Sequence, residues 1–487
     1  MLKDYEIVIG LEVHVQLQTD SKLFCGCSTE FGRTPNVNTC PVCQGLPGTL
    51  PVLNERALKF ALMAARALNC SVNEYSKFDR KNYFYPDLPK GYQISQYDFP
   101  LGYDGHLIID KEVEEGEFVQ KKIGVTRVHL EEDAGKLVHG GGDTGSKNYS
   151  YVDLNRAGVP LIEIVSEPDI NSPAEAKLYL KALKQTISYL DISDCNMEEG
   201  SLRCDANISL RRTGSEEFGI KSEVKNMNSF RAVERALDFE AKRQAELLDQ
   251  GEKVVQETRA WNEDKQKTES MRTKEEAEDY RYFPEPDLTP LKITEGKVNN
   301  IEEDMPELPR EKWLRFQEEY GLPAYDAEVL TQERKFSVLY EQAASQYADP
   351  KEVSNWLMGE YRRLLNENEL EPGEGKLTPE NLVKMLEMID DETISSKIAK
   401  EVFEVMFETG KDPETIVEER GLKQISDEDE LEKIVSRVIE ENPDVVEDIR
   451  SGKDKAIGYM VGQVMQATEG KANPQKANQM LREKIKE

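Results

Sequence analysis

Nine residues near the start of the chain, Ile9-Gly10-Leu11-Glu12-Val13-His14-Val15-Gln16-Leu17, alternate apolar and polar side chains without a break. Successive side chains of an extended strand point to opposite faces, so Leu11, Val13, Val15 and Leu17 share one side and Glu12, His14 and Gln16 the other. The pattern recurs. Leu202, Cys204, Ala206 and Ile208 alternate with Arg203, Asp205, Asn207 and Ser209, and Ser222 and Val224 alternate with Lys221, Glu223 and Lys225. Strands of this kind predict a sheet with an apolar back and a face that gathers Glu, Asp, His, Lys and Arg into one mixed-charge basin. Carboxylates there can hold a divalent ion, and cations can hold phosphate.

A further strand-like run, Thr126 to Lys136, ends in Glu131-Glu132-Asp133 and then Ala134-Gly135. Three adjacent carboxylates repel one another unless a cation or a ligand offsets the repulsion, which points to a hard-metal site. The competing reading is a solvated, acid-rich turn. Alternation places Arg127, His129 and Glu131 on one face and Glu132 with Val128 and Leu130 on the other. Either Glu131 is the ligand, or the strand breaks before Glu132 and re-aims it.

With 487 residues and a mass of 55.5 kDa, the chain has material for two to four domains. A net charge of -31 argues against broad, nonspecific nucleic-acid binding, although local basic surfaces remain compatible with it. No apolar run reaches membrane-spanning length and the first residues lack a signal-peptide core, so a soluble, cytoplasmic protein is expected. Its seven cysteines should then stay reduced. Four are spaced Cys25-x-Cys27 and Cys40-x2-Cys43, two close thiolate pairs that match a closed tetrahedral zinc site of structural type. Cys70, Cys195 and Cys204 lack such partners and read as buried residues.

Glu55 to Leu68 has apolar residues at helical spacing and predicts a helix after the cysteine loop. Ser76 to Tyr92 interleaves cations with aromatic residues, a mixture that suits a loop stacking bases or gripping phosphate; the plainer reading is an aromatic-rich connector. Gly140 to Lys147 has the wrong order for a Walker motif, since Ser146 precedes Lys147, and reads as a hairpin tip.

Five stretches together resemble the B subunit of the bacterial aspartyl/glutamyl-tRNA amidotransferases: Ile9 to His14, Lys77 to Asp87, Glu131 to Lys136, Glu198 to Asn207 and Asp279 to Asp287. The resemblance runs the full length of the chain. It implies an α+β fold, with a sheet-rich cradle domain over residues 1–293, an all-α helical domain over 294–412 and a helical tail that contacts tRNA over 413–487. It also implies tRNA-dependent amidation of misacylated Glu-tRNA(Gln) or Asp-tRNA(Asn), using ATP and Mg2+. Ammonia would come from an amidase-type glutaminase subunit, with a small third subunit completing a heterotrimer.

In that reading Glu12, His14 and Glu132 or Glu131 hold Mg2+, Lys81 holds phosphate, and Arg203, Asp205 and Glu223 bind the nucleotide. Helical segments are expected over Glu311 to Tyr320 and Ala327 to Tyr347, with another starting at Thr378-Pro379-Glu380 and a stop at Gly410. The tail changes sign along its length: 6 basic against 14 acidic residues from Lys411 to Arg450, then 7 against 4 from Lys453 to Glu487. Lys453, Lys455, Lys471 and Lys476 are therefore the candidate tRNA contacts. A second function class fits the same residues: a zinc-bearing scaffold that recruits tRNA while another chain does the chemistry.

Overall fold

The alternating run at the start of the chain is the middle strand of a nine-stranded sheet. The computed structural model describes residues 3–114, 117–139, 150–273, 280–423, 428–451, 453, 455–468 and 471–486. In chain order the sheet contains β1 (Tyr5–Gln16), β2 (Ser71–Val72), β6 (Gly102–Glu114), β7 (Glu117–Glu132), β10 (Pro160–Ser166), β11 (Leu202–Arg212), β12 (Ser222–Lys225), β13 (Glu257–Asn262) and β14 (Lys267–Thr273). Its strand order is β14-β13-β12-β11-β1-β10-β7-β6-β2. Neighbours are antiparallel except β12 and β13. Three small sheets surround it: β15 (Arg281–Pro284) with β4 (Asp79–Asn82) and β5 (Tyr92–Ser95), β16 (Leu291–Lys292) with β3 (Tyr75–Ser76), and β8 (Lys136–His139) with β9 (Ser150–Asp153). The glycine-rich stretch between β8 and β9 lies outside the described residues.

The apolar back of the sheet is buried, as the alternation requires: Leu11, Val13 and Val15 of β1, Cys204, Ala206 and Ile208 of β11, and Val128 and Leu130 of β7 all belong to one core. Helices α1 (Glu55–Ala67), α2 (Pro173–Tyr189) and α3 (Phe230–Asp249) contribute the other half of that core. Each starts on a side-chain cap, Asn54, Ser172 or Ser229, that accepts orphan backbone N–H groups of the first turn. Cys70, Cys195 and Cys204 are buried. A fourth helix, α4 (Glu295–Glu303), packs on α1 and carries Ile301 into the same core. The first compact unit therefore runs from Met1 to Pro309 and extends past residue 293.

The second unit, Arg310–Glu487, is helical among its described residues and contains two apolar cores. One includes Phe316, Tyr340, Met385 and Phe403 and reaches Ile416 and Val417, beyond residue 412. The other is built from Leu431, Val435, Met460, Leu481 and their neighbours. Thr378 caps the helix that begins at Pro379, and Gly410 closes the next helix in the left-handed conformation at φ 73. The single helix expected over Ala327 to Tyr347 is instead two, Ala324–Thr331 and Arg334–Ala344. The break falls where Glu333 turns extended (φ -130, ψ 135) and the Thr331 hydroxyl donates back to the Ala327 carbonyl at 2.7 Å.

One buried ionic network fixes the far side of the sheet. Glu240 of α3 is fully buried and accepts from Arg243 at 2.6 Å, the Thr268 hydroxyl at 2.9 Å and Gln244 at 3.0 Å, with Arg259 3.4 Å away. It ties α3 to β13 and β14. Replacing it by alanine removes the fully buried acceptor that Arg243, Gln244 and Thr268 donate to and leaves the two guanidinium groups only the carboxylate of Glu257 among the described residues, so Glu240→Ala should destabilise the first unit by about 3 kcal/mol. Hydrogen exchange should accelerate first in β13 and β14; uniform acceleration across the sheet would contradict this assignment.

Candidate active site

The polar face of the four middle strands is set by register. His14 of β1 lies opposite Glu163 of β10 and Arg203 of β11, and Glu163 lies opposite His129 of β7. One step along, Glu12 is paired with Asp205; one step the other way, Glu131 sits across from Leu161. Since side chains on one face of neighbouring strands stand within reach of each other, these pairings bring together acids from four separate stretches of sequence.

The result is a basin of about 1000 Å³ lined by, among others, Glu12, His14, Lys81, Glu131, Glu163 and Arg203. His14 Nε2 is at its centre, 3.3 Å from Glu163, 3.7 Å from Glu131 and 3.9 Å from Glu12. His129 Nε2 is 3.4 Å from Glu131 and 3.6 Å from Glu163. Two triads can hold a metal ion, Glu12–His14–Glu163 and His129–Glu131–Glu163, and Glu163 belongs to both.

Electrostatics follow from this crowding. Burial opposes charge on His14, but its bond to Glu163 and the fields of Glu163, Glu131 and Glu12 raise its pKa above the ordinary value. Burial likewise works against ionised Glu131 and Glu163, yet His129 and further cations bring Glu131 below the usual carboxylate range, and His129 and His14 hold Glu163 well below it. Glu12 moves the other way, because burial and then the neighbouring Glu163 charge favour its protonated form. Two buried atoms of basin residues, Arg127 Nε and His129 Nδ1, have no hydrogen-bond partner among the described residues, a mark of polar groups that a ligand can complete.

Cations line the rim. Arg203 donates to Asp133 at 3.0 Å, and Lys225 bridges Asp205 at 2.5 Å and Glu223 at 3.0 Å. Thr258 donates to Glu223 at 2.8 Å. Lys81 of β4 is held differently: its Nζ lies 4.8 Å from the Tyr280 ring centroid, and it feels Glu131 and Glu163 only through their field. Pairing of β4 with β15 sets Tyr282 beside Lys81 although the two are far apart in the chain, and Tyr282 stacks on Tyr97 with centroids 4.3 Å apart.

Glu132 is not in the basin. Alternation holds to the end of β7, so its carboxylate turns to the opposite face, where it pairs with Lys90 and accepts the Ile94 N–H at 2.9 Å. Of the two alternatives left open by the acidic run, the structure brings Glu131 to His14 and leaves Glu132 out. Glu163 was not among the residues the sequence singled out; its one signal is a lone acid inside the otherwise apolar run Pro160-Leu161-Ile162-Glu163-Ile164-Val165.

Cys25, Cys27, Cys40 and Cys43 form a separate group whose sulfurs all lie within 4.8 Å of one another. The turn at the second pair is closed by Gln44 N–H to Cys40 O at 3.0 Å and Gly45 N–H to Val42 O at 3.0 Å. Gly45 is left-handed at φ 67, and a Cβ there would overlap Lys90 Cγ, so the turn requires glycine. In the second unit Lys453 pairs with Asp448 at 2.8 Å and Lys476 with Glu392 at 2.6 Å; Lys455 is exposed just ahead of the helix Ala456–Ala467, and Lys471 precedes Pro474–Lys486. No helix among the described residues is long and apolar enough to cross a membrane.

Residues 7–299 match the GatB/GatE catalytic domain and residues 338–485 the GatB domain. The chain is 58% identical over 481 residues, 99% of each chain, to the aspartyl/glutamyl-tRNA(Asn/Gln) amidotransferase B subunit of Caldanaerobacter subterraneus subsp. tengcongensis. It is 57% identical over 484 residues, again 99% of each, to the protein of the same name from Carboxydothermus hydrogenoformans. With that of Thermodesulfovibrio yellowstonii the identity is 54% over 483 residues, 99% of this chain and 100% of the other.

A metal ion entering the His14 cluster must displace a proton. Because the His14 pKa stands above 6.5, the charged imidazole persists through that pH and is lost only as pH rises through the raised value; coordination needs the neutral ring. Divalent-ion affinity should therefore climb over a window that opens at pH 6.5 and closes once the His14 proton is lost, with proton release. Calorimetric titration in buffers of different ionisation enthalpy counts that proton. Affinity that is flat over the window, with no release, would contradict the coupling.

Proposed function

The chain belongs to the GatB/GatE family, as a B subunit of the tRNA-dependent amidotransferases, and from that premise we propose that its basin activates a carboxylate attached to tRNA. The side-chain carboxylate of Glu or Asp esterified to tRNA attacks the γ-phosphorus of ATP, forming an acyl phosphate and releasing ADP. Ammonia then attacks the carbonyl carbon and phosphate leaves, giving Gln-tRNA(Gln) or Asn-tRNA(Asn). A carboxylate is otherwise a poor electrophile, because oxide is a prohibitive leaving group.

Glu12, His14 and Glu163, with Glu131 and His129 alongside, are the residues that would hold Mg2+; the predominance of carboxylate oxygens fits a hard cation, and the unpartnered His129 Nδ1 fits a polar ligand. Bound there, Mg2+ would screen the charge of the phosphate oxygens. Lys81 positions the transferred group: no carboxylate among the described residues neutralises it at contact distance, and the fields of Glu131 and Glu163 keep it charged although it is half-buried. Arg203, Asp205 and Glu223 line the nucleotide side of the basin. Tyr280 and Tyr282 wall in Lys81 and limit its access to water.

The observation that carries this reading is the meeting of Glu12, His14, Glu131 and Glu163 in one basin with Lys81, a cation that no carboxylate among the described residues pairs at contact distance. We further propose that the four cysteines hold a structural zinc ion. The 4.0 Å between Cys40 and Cys43 sulfurs is close to the edge of about 3.8 Å expected for a tetrahedron with bonds of about 2.3 Å. Ammonia is supplied by an amidase-type glutaminase subunit in a heterotrimer with a small third subunit, in the cytoplasm.

With ammonium as donor in the assembled complex, Glu12→Gln and Lys81→Ala should each lower amidation about 100-fold or more while leaving tRNA affinity unchanged. Raised Mg2+ should partly restore Glu12→Gln and do nothing for Lys81→Ala. Full activity in both would favour the tRNA-recruiting scaffold instead. The tail makes a separate prediction: deleting residues 453–487, with Lys453, Lys455, Lys471 and Lys476, should weaken tRNA binding and flatten its salt dependence before chemistry suffers. Normal binding by a truncation that cannot turn over would refute that division of labour.

A further inference from the structure

Lys22 is among the most deeply buried side chains of the first unit, 1% exposed, although its ammonium has no carboxylate within 4.0 Å among the described residues. Its two partners are the Leu154 carbonyl, which accepts from Nζ at 3.1 Å, and Cys43 Sγ at 3.6 Å. An isolated buried ammonium is strongly disfavoured, so a lysine in this position calls for a compensating negative charge. Four cysteine thiolates on a divalent ion supply one, since the set carries two more negative than positive charges.

We propose that Lys22 is the charge-balancing outer partner of the Cys25–Cys27–Cys40–Cys43 metal site, and that it ties the site to the segment beside the basin. The inference rests on the zinc reading above and adds a residue to it. Lys22 grips both cysteine turns: its backbone N–H donates to the Cys27 carbonyl at 2.9 Å, and its ammonium faces Cys43. The Cys40 N–H also points at Cys43 Sγ, at 3.2 Å, so this sulfur collects two donors.

The connection continues toward the basin. Leu23 N–H donates to Gly158 O at 2.8 Å, Gly158 N–H to Asp133 O at 2.8 Å, and Asp133 N–H to Val159 O at 2.8 Å. Asp133 in turn takes Gln16 at 2.7 Å and Arg203 at 3.0 Å on the basin side. Gly158 sits at the crossing: a Cβ there would stand 3.5 Å from Lys22 Cδ and 3.6 Å from Cys43 Cβ. Lys22 thus fills the space between the cysteine turn and the end of β7, where neutral packing of the same length would leave the thiolate charge uncompensated.

The test compares the full-length chain with Lys22→Met, which keeps length and removes charge, and with Lys22→Gln and Lys22→Arg. Zinc content is measured by atomic emission, and zinc release by transfer to a chromophoric chelator. Loss of an outer partner typically weakens metal affinity by about 10- to 100-fold, so Lys22→Met should release zinc at least about tenfold faster than wild type, with Lys22→Arg close to wild type. Lys22→Gln, which can still donate to Leu154, should release zinc as fast as Lys22→Met, because the charge and not the tether is missing; it also serves where Lys22→Met does not fold. Equal release rates in wild type, Lys22→Met and Lys22→Gln overturn the role of Lys22 alone. A wild-type chain that carries no zinc overturns the zinc reading and this inference with it.

Discussion

Two histidines and two carboxylates at the middle of one sheet face hold the charge balance on which the site depends. Glu163 is the hinge of that balance, within 3.6 Å of both imidazoles and in contact with Arg127 at 3.3 Å. Packing Glu131 and Glu163 so close would drive one of them to accept a proton; the imidazoles prevent this, and both carboxyls stay below their ordinary pKa. The acids are therefore ionised, buried and preorganised before any ligand arrives. In the proposed site a divalent ion would replace the His14 proton on ligand candidates that all sit on strands of one sheet.

Much of this was legible in the sequence because strand alternation is local. Leu11, Val13 and Val15 face the core and Glu12 and His14 the basin, as a period of two demands. The cysteine cluster was legible for the same reason, since two short-spaced pairs need only one loop to bring them together. What the sequence left open depends on long-range register. Which of Glu131 and Glu132 faces the basin follows from the pairing of β7 with β10, which keeps the strand regular to Glu132 and sends that residue to Lys90. Glu163 went unnoticed because its partners come from strands far away in the chain, and Tyr280 and Tyr282 meet Lys81 only through the pairing of β15 with β4. The helix break at Gln332-Glu333 was hidden because no glycine or proline marks it anywhere between Ala327 and Tyr347.

The two proposed metal sites divide their work by face. The basin cluster lies on the charged face of the sheet, while the cysteine group lies beyond the end of β7, on the side to which Glu132 turns. Between them stand Asp133, Gly158 and Val159, joined to one another by backbone hydrogen bonds. Such an arrangement would let the proposed zinc ion stiffen the rim of the proposed active site without sharing a ligand with it, and stiffness matters because misplacement of a reacting group by about 1 Å can cost about 100-fold in rate.

The central claim is that the cluster around His14 and Glu163 is a divalent-ion site facing bound phosphate. Anomalous diffraction from crystals of the assembled complex soaked with Mn2+ and a non-hydrolysable ATP analogue tests it most directly. A manganese peak between Glu12, His14 and Glu163, with the analogue's phosphates reaching toward Lys81, is the expected result. Nucleotide bound elsewhere, with no manganese among these residues, would contradict the account.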